Sequence, residues 1–282
     1  MTSSVAVVLA GGRSSRMGTS KAALEWHGST LLRRVTGLVD RAVDGGVLVV
    51  RAPGQELPAL DPRVRVLDDP EEGRGPLQGL AVGLAAAAEQ AEQTFVCSTD
   101  LPLLHPAFVS AVLGNLDQDI DVALPVVRGH RQPLAAGYRT DLAPLAAKLL
   151  AEGRDRPAHL FEECRVRRLG AAALLAAPRL ARADPDLESV LNLNDRADYE
   201  AARSRPGPAV VVECFGVLAS SGRGRGPHTV QAATVGEAAA GVGVPLDGHA
   251  LAAVNGDQVR GEAEVPLAAG DRVSFISADA GG

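Results

Sequence analysis

The chain has 282 residues, 46% hydrophobic and 22% charged, with a formal net charge of -6: a folded globular protein with room for two domains. Aromatics at 3% leave no set of base-stacking platforms, and the acidic balance lacks the broad basic field of a nucleic-acid or membrane-surface partner. Cys97, Cys164 and Cys214 are odd in number and lack C-x-x-C spacing, and no run nears the ~18 apolar residues of a membrane span, so a reducing cytoplasm is expected, without disulfides, zinc or insertion.

From Ser4 to Ala201 short aliphatic runs alternate with helical segments. VAVVLA (5 to 10), GVLVV (46 to 50), RVRVL (63 to 67), TFVCS (94 to 98) and DVALPVV (121 to 127) read as strands. Between them, Ser29 is placed to cap a helix whose Leu31, Leu32, Val35, Leu38 and Val39 share one face, and Leu77 to Gln93 reads as a second, alanine-rich helix. Near-continuous β-branched runs alternating with helices predict an α/β fold with a mostly parallel sheet covered on both faces. Such sheets bind ligands beyond the carboxyl ends of their strands.

RSRPGPA (203 to 209), with two prolines, a glycine and charge, reads as a linker between domains at 1–205 and 208–282. Beyond it come a strand AVVVECFGVLA (209 to 219), a loop SSGRGRGPH (220 to 228), a short helix near Val235 to Ala240, LAAVNG (251 to 256) and DRVSFISA (271 to 278). Strands outnumber helices, which predicts a small α+β domain, with Phe215 and Phe275 as core or docking surface and the core preferred for both.

The first strand runs directly into GGRSSRMGTSK (11 to 21). The segment fits neither a Walker loop nor G-x-G-x-x-G, because Gly12 to Gly18 is not followed by Lys-Ser/Thr. Physically it still suits a triphosphate: Gly11 and Gly12 let backbone N–H groups approach phosphate oxygens without an intervening Cβ, while Arg16 and Lys21 bring positive charge. Asp100, following TFVCS, is placed either to hold a hard cation against phosphates or to cap the turn before Leu-Pro.

LAGGRSSRMGTSKAAL resembles the signature loop of the molybdenum cofactor guanylyltransferases. Further patterns of that family follow in order: RVLDDP, GPLQGL, STDLPLL, RQPLAAGY, EGRDRPAHLF and LNLNDRADYE. The resemblance covers about the first 200 residues. It implies a Rossmann-like nucleotidyltransferase domain that uses Mg²⁺ and takes GTP as substrate. Arg16, Lys21 and Asp100 are then catalytic, with Asp100 as metal ligand and Asn194 as a candidate second metal-side ligand. Leu9, Ala10, Gly11, Gly12, Lys21, Asp69 and Asp100 bind the nucleotide, with the adjacent Asp68 as the alternative to Asp69. Arg131, Gln132 with Pro133, Arg156, Asn192 and Asn194 form the side that holds the molybdopterin-type substrate, and Asn192 and Asn194, two apart on a strand, would share a face. Two departures bear on base recognition: Ser20 stands where the family usually has Asp, and Arg51 where an amide is expected. A sister family transfers cytidylyl groups, but its loop tends to read A-A-G where this one reads A-G-G, which favours GTP.

The segments AVVVECFGVLA, TVGEAAA, AVNGDQV and VPLAAGDRVSFISADAGG resemble a ubiquitin-like β-grasp sulfur carrier, the small subunit of molybdopterin synthase. The thiamine-pathway carrier has a similar N-G…L-x-x-G-D…G-G pattern, and the fused guanylyltransferase-like part favours the molybdopterin reading. That resemblance implies Gly282 as the sulfur-carrying residue, with an E1-like adenylating enzyme and the large subunit of molybdopterin synthase as partners. The alternative is a ubiquitin-like binding module without thiocarboxylate chemistry.

Overall fold

The structure, a computed structural model, describes residues 3–11, 20–71, 73–219, 225–246, 249–259 and 263–277. The chain divides into two compact units, 1–24 with 31–195 and 25–30 with 196–282.

The first unit is built on β1 (Ser4–Leu9), β2 (Val47–Arg51), β3 (Arg65–Asp68), β4 (Gln93–Ser98), β5 (Val122–Val127), β6 (Ala135–Arg139) and β7 (Val166–Gly170), in the spatial order β7-β5-β6-β4-β1-β2-β3. Residues 130–131 add a short antiparallel strand on β5. All the long pairings are parallel except those of β6, which lies antiparallel between β4 and β5. The mixed α/β, mostly parallel sheet is therefore as expected. Helices α1 (Leu31–Asp40), α2 (Pro76–Ala87), α3 (Pro106–Leu113), α4 (Ala143–Ala151), α5 (Pro157–Glu162), α6 (Ala171–Leu175) and α7 (Pro178–Ala183) complete it.

Strand alternation divides the core in two. Ala6 and Val8 of β1 join Leu32 and Val35 of α1 and Phe108 of α3, whereas Val5, Val7 and Leu9 join Leu77, Leu80 and Leu84 of α2. Every residue of β1 is buried, as a central strand covered on both faces must be. Helix α2 sits directly on β1 because its contact face carries Gly79 and Gly83; a Cβ on Gly83 would stand 2.5 Å from a methyl of Val7.

Several local expectations need correction. Ser29 does not cap α1: it pairs with Trp26 in a hairpin, and its buried Oγ has no hydrogen-bond partner. Helix α2 stops at Ala87, and Gln93 already opens β4. Strands β6 and β7 carry no clear β pattern and are seen only in the fold.

The second unit contains the hairpin 25–30, α8 (Arg196–Arg203), β8 (Ala209–Phe215), β9 (His228–Gln231), α9 (Val235–Val242), β10 (Ala250–Val254), β11 (Asp257–Val259) and β12 (Arg272–Ser277). The hairpin is tied to α8, where Tyr199 Oη donates to the Glu25 carbonyl at 2.6 Å and Arg203 Nε to the Glu25 carboxylate at 2.7 Å. The sheet order is β9-β8-β12-β10-β11, with β8 and β12 parallel at the centre and every other pair antiparallel. Helix α9 is capped by Thr234 Oγ1 accepting from Glu237 N and closed by Gly243 in the left-handed conformation. The N-G and G-D pairs meet: Asn255 Nδ2 donates to buried Asp271 at 2.8 Å, and the second Asp271 oxygen accepts from Ala268 N at 2.7 Å. Together they lock two turns.

Phe275 is fully buried, but Phe215 is 43% exposed, contrary to its expected place in the core. The strand at 209 ends at Phe215, where the alternation turns that side chain away from the face packed on α9, and residues 216–219 form a 3-10 turn.

Candidate active site

Parallel pairing of β1, β2, β3 and β4 brings their carboxyl ends to one edge, with Leu9 opposite both Val50 and Ser98. The junction is pinned by Thr99, whose backbone N and Oγ1 both donate to the Leu9 carbonyl, at 3.3 and 3.1 Å. The residue after Thr99 is Asp100, which therefore follows directly on this junction.

Lys21 comes to the same place. Its Nζ lies 3.5 Å from Asp100 Oδ2 and donates to the Leu193 carbonyl at 2.6 Å, while Leu193 N donates to the Asp100 carbonyl at 3.0 Å. The other Asp100 oxygen accepts from Ser98 Oγ. Both charged side chains keep some exposure, 24% for Lys21 and 20% for Asp100, so a ligand can reach them. No group of three or more His, Cys, Asp or Glu among the described residues is placed to hold a metal ion.

Gly11 lies against the chain after β2: a Cβ there would stand 3.1 Å from Ala52 N. Gln55 secures this corner, donating from Nε2 to the Ala10 carbonyl at 3.0 Å and to Ser20 Oγ at 3.2 Å while Oε1 accepts from Ala52 N. Arg51 is taken up by Asp68, at 2.7 Å, and by the Gln55 carbonyl. Asp69, by contrast, faces α2: a Cβ on Gly79 would fall 3.9 Å from its Oδ2 and 3.4 Å from Leu9 Cδ2. Burial raises the Asp69 carboxyl above the usual carboxylate range.

Within the described residues, no hydrogen bond or ion pair links Arg131, Gln132 or Arg156 to the Lys21–Asp100 group. Arg131 is exposed in the short strand beside β5, and Gln132 N donates to the Pro125 carbonyl at 2.9 Å. Arg156 is exposed at the start of α5, next to Asp155, whose carbonyl would touch a Cβ on Gly75 at 3.1 Å; the G-P-L and R-D-R-P patterns are thus neighbours. Asn192 and Asn194 are not on a strand; both lie in irregular chain, so no shared face follows from their spacing. Gly12, Arg16 and Gly282 lie outside the described residues. Sequence reasoning missed Leu193, Ser98 and Gln55. Leu193 acts only through its backbone, Ser98 is an unremarkable member of S-T-D-L-P, and Gln55 belongs to no pattern.

Residues 6–167 match the model of the MobA-like NTP transferase domain. The chain belongs to this family. It is accordingly a nucleotidyltransferase, and the Lys21–Asp100 edge is the candidate active site of its MobA-like domain. A Mycobacterium avium protein named "Probable molybdenum cofactor guanylyltransferase" is 40% identical over 151 residues, covering 52% of this chain and 75% of its own. A protein of the same name from Mycobacterium ulcerans is 40% identical over 167 residues, covering 58% of this chain and 81% of its own. Among solved structures, molybdopterin-guanine dinucleotide biosynthesis protein A from Archaeoglobus fulgidus superposes with a TM-score of 0.54 at 18% identity, over 71% of this chain and 96% of its own, a likeness of fold. Among the described residues no helix is long and apolar enough to cross a membrane.

Proposed function

We propose that residues 1–205 transfer GMP from GTP to molybdenum-molybdopterin, as a step of molybdenum cofactor biosynthesis. A terminal phosphate oxygen of the pterin attacks the α-phosphorus, and the bond from that phosphorus to the β-phosphate oxygen breaks, so pyrophosphate leaves. The work is positioning and charge neutralisation, with no covalent protein intermediate. The Leu9–Gly11 backbone meets the base and ribose, Asp69 helps bind the nucleotide, Lys21, held by the Leu193 carbonyl, contacts the triphosphate, and Arg16 adds charge. Asp100 would hold Mg²⁺, which when bound neutralises phosphate charge. Arg131, Gln132, Arg156, Asn192 and Asn194 form the acceptor side.

One observation carries this reading: Lys21 and Asp100 meet at the carboxyl ends of β1 and β4. The names of the relatives and the A-G-G loop support GTP over CTP. Pyrophosphate release measured with GTP, CTP and ATP in the presence of Mg²⁺ and pterin tests it. GTP is expected to be used best; preference for CTP would make the protein a cytidylyltransferase on the same acceptor.

For residues 208–282 we propose a β-grasp sulfur carrier. The support is topological: two hairpins flank a helix, and the first and last strands run parallel at the sheet centre. Gly282, reached by the chain just past β12, would be adenylated by an E1-like enzyme, with pyrophosphate released from ATP. Sulfide-level sulfur from a donor would then attack the acyl carbon, forming a C–S bond as the bond to AMP breaks, to leave a thiocarboxylate for the large subunit of molybdopterin synthase. The unpaired thiols of Cys97, Cys164 and Cys214 fit a cytoplasmic setting. Mass spectrometry of the C-terminus after incubation with the activating enzyme, ATP and a sulfur source should show sulfur in place of oxygen. Persistent absence of that exchange favours a binding module.

A further inference from the structure

The chain between α7 and α8 carries a buried polar cluster with no part in the chemistry above. Asp184, 7% exposed, ends α7 and accepts three hydrogen bonds: from Glu188 N at 2.6 Å, Ser189 N at 2.9 Å and Ser189 Oγ at 2.6 Å. Ser189, fully buried, uses the same Oγ to accept from His105 N at 3.1 Å, across 84 positions of sequence. Within the turn Leu187 is buried in the left-handed conformation, which a β-carbon disfavours, so the turn is held by its hydrogen bonds against its own backbone preference.

Each end of this cluster leads to the active site. His105 closes the segment that starts at Asp100, and Ser189 lies four residues before Leu193. Leu193 in turn donates to the Asp100 carbonyl and accepts from Lys21 Nζ. A carboxylate removed from water and bonded to three donors is a rigid anchor, since releasing any donor leaves a buried polar group unpaired.

We infer that Asp184, acting through Ser189, is a positioning residue for nucleotide binding: it sets the Leu193 peptide, whose carbonyl places the Lys21 ammonium and whose N–H places the Asp100 turn. The inference rests on the reading of Lys21 as a ligand of the triphosphate. A role confined to folding would lower stability but would not couple to one lysine.

The test is a double-mutant cycle in the full chain, read by calorimetric titration of GTP with Mg²⁺ well below the unfolding temperature of each variant. Asp184→Asn should weaken GTP binding about tenfold, the scale of one hydrogen bond to a charged group. Lys21→Ala should weaken it at least as much, and the double variant by less than the two single losses combined. Wild-type affinity in Asp184→Asn with only a lowered unfolding temperature overturns the inference, and so does a loss that adds in full to that of Lys21→Ala. Should Asp184→Asn fail to fold, Ser189→Ala, which removes one hydroxyl, takes its place in the cycle, and the same two results overturn the inference. Failure of the underlying reading looks different: Lys21→Ala itself would bind GTP as the wild type does.

Discussion

The two sheets of this protein solve the problem of apolar strands differently. In the first unit helices cover both faces, so β1 is buried from end to end and polar chemistry is confined to the strand ends. In the second, α9 packs on one face, and across the three central strands Phe215, Leu251 and Ile276 sit in register on the other, each more than 40% exposed. A sheet closed on both faces specifies where a site must lie, while an alternating sheet specifies only which side is core.

The sharpest way to break this contrast is at the strand ends. Asp100→Ala should reduce pyrophosphate release by about 10³-fold with any nucleotide while the unfolding midpoint stays near that of the wild type, because one carboxylate is lost from a solvent-reachable edge. Near-normal turnover would move the active site elsewhere. Next in size is Phe275→Ala, expected to cost the second unit about 3–5 kcal/mol in denaturant unfolding, since the ring is fully buried among Val210, Val212 and Val273. Its neighbour Ile276 points the other way, so Ile276→Ser should stay within about 0.5 kcal/mol.

Between those extremes lies Gly83→Val, which forces a side chain into the 2.5 Å approach of α2 to Val7. About 1–3 kcal/mol of destabilisation is expected by the same denaturant measurement, and a neutral result would mean that α2 shifts freely on β1.

The smallest effect concerns acid. The Arg165 guanidinium bonds Asp121 at 2.7 Å and holds its carboxyl below the usual range, so the pair contributes stability above the unfolded carboxylate pKa near 4 that is lost as pH falls through the folded value. Asp121→Asn should therefore flatten the acid limb of the stability curve below about pH 4 and be most destabilising near neutrality. An unchanged acid limb would show that the pair forms equally in the unfolded chain.

Much of this is legible in the sequence because periodicity and glycine placement are local. Strands β1, β2, β4 and β5 announce themselves as β-branched runs, Asp100 stands out as a charge just past the end of β4, and Lys21 as a charge closing the glycine-rich segment after β1. Strand β6 is hidden for the reason it works: Gly137 and its alanine neighbours are poor strand formers, yet a Cβ on Gly137 would press to 3.3 Å on Val112 of α3, so a small residue there lets α3 lie close. The exposed side of β8 misleads because apolar residues occupy both its faces and only the position of α9 separates them.

Residue order alone determined the mostly parallel α/β sheet of the first part of the chain, and it determined which charged side chains follow its strands. The tertiary structure alone decided that Arg51 takes Asp68 and leaves Asp69 facing α2, and that the Leu193 peptide joins Lys21 to Asp100. A backbone N–H and carbonyl are the same at every such residue, so their partners are chosen by packing, which no local pattern encodes.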